Sequence, residues 1–102
     1  MSEVEDKTAS LLAALWLRVR PLVEERLATL DQAVAANPLP EQLRKDAAGS
    51  AHKLAGSLGM YGYDEGTRIA REIELLLDSG SADTTRLEAL VAELRGSISP
   101  IA

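Results

Sequence analysis

The sequence of 102 residues has no cysteine and no phenylalanine, and it holds one tryptophan, two tyrosines and one histidine. Without cysteine there is no disulfide scaffold and no thiolate for metal or redox work. A single imidazole with no thiolate partners is too small a donor set for a transition-metal site, so no metal is expected. Positive charge is also in short supply: the formal balance is −5 at pH 7, whereas a nucleic-acid partner needs a basic face. Long apolar runs are missing too. The longest, Leu11 to Leu17, falls far short of the ~20 residues that cross a bilayer. It follows Glu3, Glu5 and Asp6, where a secretory signal would open with positive charge. These absences leave a soluble, cytoplasmic domain with no nucleic-acid or membrane partner as the expectation.

What is present is a helix-former's palette. There are 17 Leu and 16 Ala against 5 Val and 4 Ile. The length suits one domain, residues 1–102, with one modest core. Apolar residues recur at Leu12, Leu15, Val19, Leu22 or Val23, Leu27, Leu30 and Val34, spaced three and four apart as on a helix face. Pro21 interrupts that stripe without shifting its phase, so helices are predicted over 3–20 and 21–36 with a kink or break between them. Ser2 to Glu5 matches a capping box for the first. Asn37-Pro38-Leu39-Pro40 ends the second and places Pro40 as first residue of a helix over 40–59. Gly59 to Asp64 is its stop and turn, with Asp64 capping a helix over 64–79 whose stripe is Ile69, Ile73, Leu76 and Leu77. After Asp78-Ser79-Gly80-Ser81, a last helix over roughly 83–97, ending near Gly96 to Pro100, has the stripe Leu87, Leu90, Val91, Leu94 and Ile98. Short connections between such helices describe an all-α, antiparallel four-helix bundle with an N-terminal helical extension.

The one histidine lies in an unusual setting. Stepping roughly 100° per residue from His52 gathers Leu43, Ala47, Ala51, Leu54, Leu58 and Tyr61 on one side as a core-facing seam. His52 is well away from the centre of that seam, so its imidazole is expected at least partly in solvent. The helical neighbours that could crowd it are Ala48, Gly49, Ala55, Gly56 and Gly59, all small. A solvated helix face normally carries long polar residues, and each interior glycine costs roughly 0.5–1 kcal/mol relative to alanine. Two explanations could offset that cost. Another helix approaches closely, with His52 at the edge of the contact, or the clearing exposes an imidazole nitrogen to another protein. Leu54 and Leu58 already define the packed side, and the glycines lie off it, which favours the second.

His52-Lys53-Leu54-Ala55-Gly56-Ser57-Leu58-Gly59-Met60-Tyr61-Gly62 resembles the signature of histidine phosphotransfer (HPt) domains. That pattern is His-x-Leu-Lys-Gly with a further glycine six places after the first, and His52, Leu54, Gly56 and Gly62 match it. Ala51 and the amphipathic helix through Arg68-Ile69-Ala70-Arg71-Glu72-Ile73-Glu74 also fit. The resemblance implies a bundle of HPt type in which His52 is the phosphoacceptor of a two-component phosphorelay. Its partner would be the receiver domain of a response regulator or hybrid histidine kinase. That receiver would bring the aspartate and Mg²⁺, so no cofactor is expected on this chain. An imidazole suits the task because its ordinary pKa of about 6.5 leaves the nucleophilic form dominant near neutral pH. Phosphoryl transfer rests mostly on positioning and charge neutralisation. In this scheme Gly56, with Gly49 and Gly59, clears the approach.

One departure matters: many members carry a phosphate-neutralising Lys where this chain has Ala55. Lys53 is the first substitute, Lys45 two turns back is another, and Arg68 or Arg71 from the next helix could also reach. No Gly-rich phosphate loop followed by Lys-Ser/Thr is present, so the expectation is a phosphocarrier, not an enzyme with its own ATP site. The rival reading is a helical interaction or dimerisation module with a vestigial histidine, and monomer and weak dimer both remain open. The residues could also be one domain of a larger hybrid kinase or output protein. Trp16 is expected as core cover. Met60, Tyr61 and Tyr63 form either an apolar docking rim or turn packing. Glu24-Glu25-Arg26 and Arg71 to Glu74 are taken as solvated faces.

Overall fold

A computed structural model describes residues 3–80 and 83–98. Four helices follow one another: α1 (Glu3–Ala35), α2 (Glu41–Met60), α3 (Asp64–Asp78) and α4 (Thr84–Ile98). Each packs on its neighbours round a ring, α1 on α2, α2 on α3, α3 on α4 and α4 back on α1. The result is the expected antiparallel four-helix bundle. Its centre is filled by Leu27 and Leu30 of α1, Leu54 and Leu58 of α2, Ile73 and Leu77 of α3, and Leu90, Leu94 and Ile98 of α4. Each such side chain contributes roughly 1.5–3 kcal/mol of burial. No polar or charged side chain is buried among the described residues.

Of the kink or break expected at Pro21, the break does not occur, since α1 is a single helix of 33 residues with Pro21 inside it. Proline deprives the Leu17 carbonyl of its helical donor, but both residues are exposed, so water can take the bond. Trp16, Val23, Leu27 and Leu30 stay in phase across the proline and are all buried, so the core-facing side is continuous through it. The N-terminal extension is therefore the first half of α1 itself. At roughly 1.5 Å per residue, α1 runs about 50 Å against about 30 Å for α2, matching the 53 Å long axis of the molecule. Residues 7–15 project past the bundle and are exposed, Leu12 and Leu15 of the apolar stripe included. Trp16 is the first covered residue, packed on Tyr61 and Tyr63 with ring centroids 5.3 and 5.1 Å away.

The helix ends follow local chemistry with two small shifts. Pro40 is the N-cap of α2, not its first residue, and Asp64 is the first residue of α3, with Tyr63 as N-cap and no side-chain cap bond. Asp64 still sits beside the positive end of the helix. Asp83 caps α4, its Oδ1 accepting from the Arg86 N–H at 2.9 Å. The capping box expected from Ser2 lies outside the described residues.

The turn from α2 to α3 sets the site. Gly62 has φ +83°, the Tyr63 N–H donates to the Leu58 carbonyl at 2.9 Å, and the Gly62 N–H to that of Gly59 at 3.3 Å. This is a Schellman ending, and its left-handed position is the reason for glycine there. The tight reversal pairs residues equidistant from Tyr63. Gly59 meets Thr67, four residues either side.

Candidate functional site

His52 and Glu74 stand eleven residues either side of the same turn, and they meet. His52 Nδ1 lies 2.9 Å from Glu74 Oε2. The imidazole is 72% exposed and the carboxylate 26%, so the contact sits at the mouth of the α2–α3 seam. A carboxylate only accepts, so in the neutral ring Nδ1 carries the hydrogen and donates it. Nε2 is then left with its lone pair, and it makes no hydrogen bond among the described residues. In that neutral form the contact orients a mostly exposed ring whose second nitrogen keeps a free lone pair. The exposure expected for His52 is present. Glu74 was missed, having been assigned to a solvated run.

The small residues around the imidazole divide into two sets. A Cβ added at Gly49 or Gly56 would meet nothing within 4 Å, so neither glycine accommodates another helix. Both are exposed. Ala48 and Ala55 are buried instead, at the contact with α3, and the Ala55 carbonyl accepts from Thr67 Oγ1 at 3.1 Å. Gly59 belongs with them, because a Cβ there would lie 3.3 Å from Thr67 Oγ1. Ala55 and Gly59, grouped by sequence with the docking residues, thus lie at the helix–helix seam. His52, Lys45, Lys53, Gly49 and Gly56 share the exposed strip of α2. Met60, 73% exposed, continues that strip, whereas Tyr61 and Tyr63 are half-buried against Trp16 as turn packing.

Four candidate cations surround the strip, with a fifth close by, and they are not equivalent. Lys45 and Lys53 border a shallow depression shared with Gly49, His52, Glu74 and Arg44. Arg44 is committed elsewhere: it donates to the Leu77 carbonyl at 2.7 Å and to Glu41, whose carboxyl it holds below the usual range. Arg68 is likewise held by Glu65 and by Glu72, the latter at 2.6 Å. Arg71 is exposed and borders a second depression, on the other side of the imidazole, with Ala55, Gly56, Glu74 and Leu75.

Among the described residues no group of three or more His, Cys, Asp or Glu side chains could hold a metal ion, and no helix is long and apolar enough to cross a membrane. Comparison with known proteins gives a family and a relative. The family model described as "Hpt domain" matches residues 14–99. Protein RcaC of Microchaete diplosiphon is 33% identical over 79 residues, which cover 74% of this chain but 12% of that protein. The chain thus spans about an eighth of that relative's length. No solved structure matches.

Proposed function

The chain belongs to the Hpt domain family, whose members are phosphocarriers of two-component phosphorelays, and on that premise we propose that His52 Nε2 is the phosphoacceptor and exchanges its phosphoryl group with a receiver aspartate. The observation that carries this reading is the His52–Glu74 contact, which in the neutral ring leaves Nε2 its lone pair on a largely exposed imidazole, with open space at Gly49 and Gly56 on the same helix.

In the forward step Nε2 gives its lone pair to phosphorus in line with the aspartyl oxygen. The phosphorus–oxygen bond breaks, and its electrons return to the carboxylate. No proton has to leave, since Nε2 carries none. The Nδ1 hydrogen stays between ring and carboxylate, where the charge of Glu74 offsets the cationic phosphorylated ring. Discharge is the same step reversed. Glu74 is thus a positioning residue: it selects the tautomer and steadies the product, as second partners of functional histidines do. Mg²⁺ would reside on the receiver, and the bare backbone at Gly49 and Gly56 would admit that domain's loops.

Incubation of the full chain with phosphorylated receiver domains tests the reading. Acid-labile, base-stable label should appear on the wild type and be absent from His52→Gln. A chain that takes up no label from any receiver, or a His52→Gln variant that labels equally, would overturn it in favour of a helical interaction module.

A further inference from the structure

We propose that Arg71, reaching across from α3, is the cation that binds the phosphoryl group on His52; this rests on His52 being the acceptor. Two observations single it out. First, the other arginines near the site are engaged, Arg44 by Glu41 and the Leu77 carbonyl, Arg68 by Glu65 and Glu72. Arg71 makes no ion pair or hydrogen bond among the described residues, and it borders the same depression as the imidazole. Second, its place in the helix pair is specific. Arg71 precedes Glu74 by three residues, so both emerge on one face of α3, and Glu74 is already in contact with the ring. Ala55 and Arg71 lie eight residues either side of Tyr63, as Gly59 and Thr67 lie four either side. A cation absent from α2 at Ala55 is therefore present directly across the seam.

Lys53 and Lys45 serve less well. Lys53 adjoins His52 in sequence, so the two side chains diverge by roughly 100°. Lys45 stands seven residues away, about 10 Å along the axis, and although both lysines border one depression with His52, they also line another that faces α1 through Thr29 and Gln32. The guanidinium also offers what an ammonium does not, two parallel N–H donors matched to two phosphoryl oxygens. It would engage oxygens that are free before, during and after transfer, so it lowers the barrier and also holds the product.

The test uses potassium phosphoramidate, which transfers its phosphoryl group to the imidazole with ammonia leaving and involves no docked protein. Labelling rate and phosphohistidine lifetime are followed for the wild type and for Arg71→Gln, Arg71→Lys, Lys53→Gln and Lys45→Gln. Loss of one charge-assisted contact predicts a rate reduced roughly 10- to 100-fold in Arg71→Gln. Arg71→Lys should recover part of it, and both lysine variants should stay within about threefold of wild type. Unchanged thermal midpoints are expected throughout, because all three side chains are exposed. Wild-type label with an unaltered Arg71→Gln rate overturns this proposal alone, as does a larger loss in either lysine variant. Absence of label from the wild type overturns the acceptor reading and this proposal with it.

Discussion

Replacing Gly49 and Gly56 separates a glycine kept for folding from a glycine kept for a visitor. Both lie inside α2, both are exposed, and neither has a heavy atom within 4 Å of the space a Cβ would fill. Alanine at each should therefore meet no clash and should gain the usual helix-interior difference, about 0.5–1 kcal/mol per site. Part of that gain comes from restricting the unfolded chain. Seven residues separate the sites, about 10 Å along the helix, far enough for the effects to add. The double variant should then be more stable by about 1–2 kcal/mol. For a domain of this size each kcal/mol raises Tm by roughly 4–8 °C.

Function should move the opposite way once the added group is large. Gly56→Gln keeps a good helix former and no charge, yet interposes a long side chain where a receiver's loops would rest. Overfilling a close contact costs roughly 1–3 kcal/mol, which predicts receiver-to-histidine transfer slowed about 5- to 150-fold. Transfer from phosphoramidate, which needs no docking, should be far less affected. Circular dichroism melting and phosphotransfer rates measured on the same preparations decide the matter. A Gly49→Ala/Gly56→Ala chain that melts lower than wild type would refute the reasoning, since it would mean the glycines are needed for packing. So would a Gly56→Gln chain that exchanges with receivers at full speed.

Other outcomes follow from the same contacts. Gly66→Ala should destabilise by about 1–3 kcal/mol in chemical denaturation, because its Cβ would lie 3.1 Å from both Leu58 Cδ1 and Ser97 Oγ. Glu74→Ala should release the Nδ1 hydrogen, seen by ¹⁵N NMR as a tautomer change at His52, and should slow phosphoryl acceptance about tenfold, the cost of one hydrogen bond to a charged group; Glu74→Gln should retain the tautomer. The Tyr63 hydroxyl is buried with no partner among the described residues, so Tyr63→Phe should be neutral or more stable by up to about 1 kcal/mol. Burial also pushes that hydroxyl above its ordinary value of 10.0, so the unfolded chain ionises first and wild-type stability should fall as pH rises past that value. The Phe variant should lack this part of the fall.

Local rules made most of the bundle legible, and the exceptions have a common cause. Gly62 and Gly80 marked real turns because each has a positive φ that the chain cannot reach cheaply with other residues. Pro21 misled because its local penalty was set against water, which satisfies an exposed carbonyl, and against the buried stripe from Trp16 to Leu30. Leu12 and Leu15 continue the stripe outside the core because a stripe states which face is apolar and not how far the partner helix extends. Glu74 was hidden for a similar reason: its meaning depends on which α2 residue it faces. Reflection through the turn at Tyr63 contains that information, but it becomes usable only once the turn is known to be tight.

The small residues around His52 carry the same lesson further. In the sequence Ala48, Gly49, Ala55, Gly56 and Gly59 form one class, all too small to crowd an imidazole. In the bundle they divide into a set packed against α3 and a set open to solvent. Ala48, Ala55 and Gly59 let α3 approach, and only a close α3 allows Glu74 to reach Nδ1 at 2.9 Å. Gly49 and Gly56 leave the surface of α2 open in the two depressions that flank His52. Enlarging the first set would move the carboxylate away and free the tautomer; enlarging the second would leave the tautomer intact and obstruct the partner. One stretch of small residues thus brings Glu74 to the imidazole and leaves the surface beside it open.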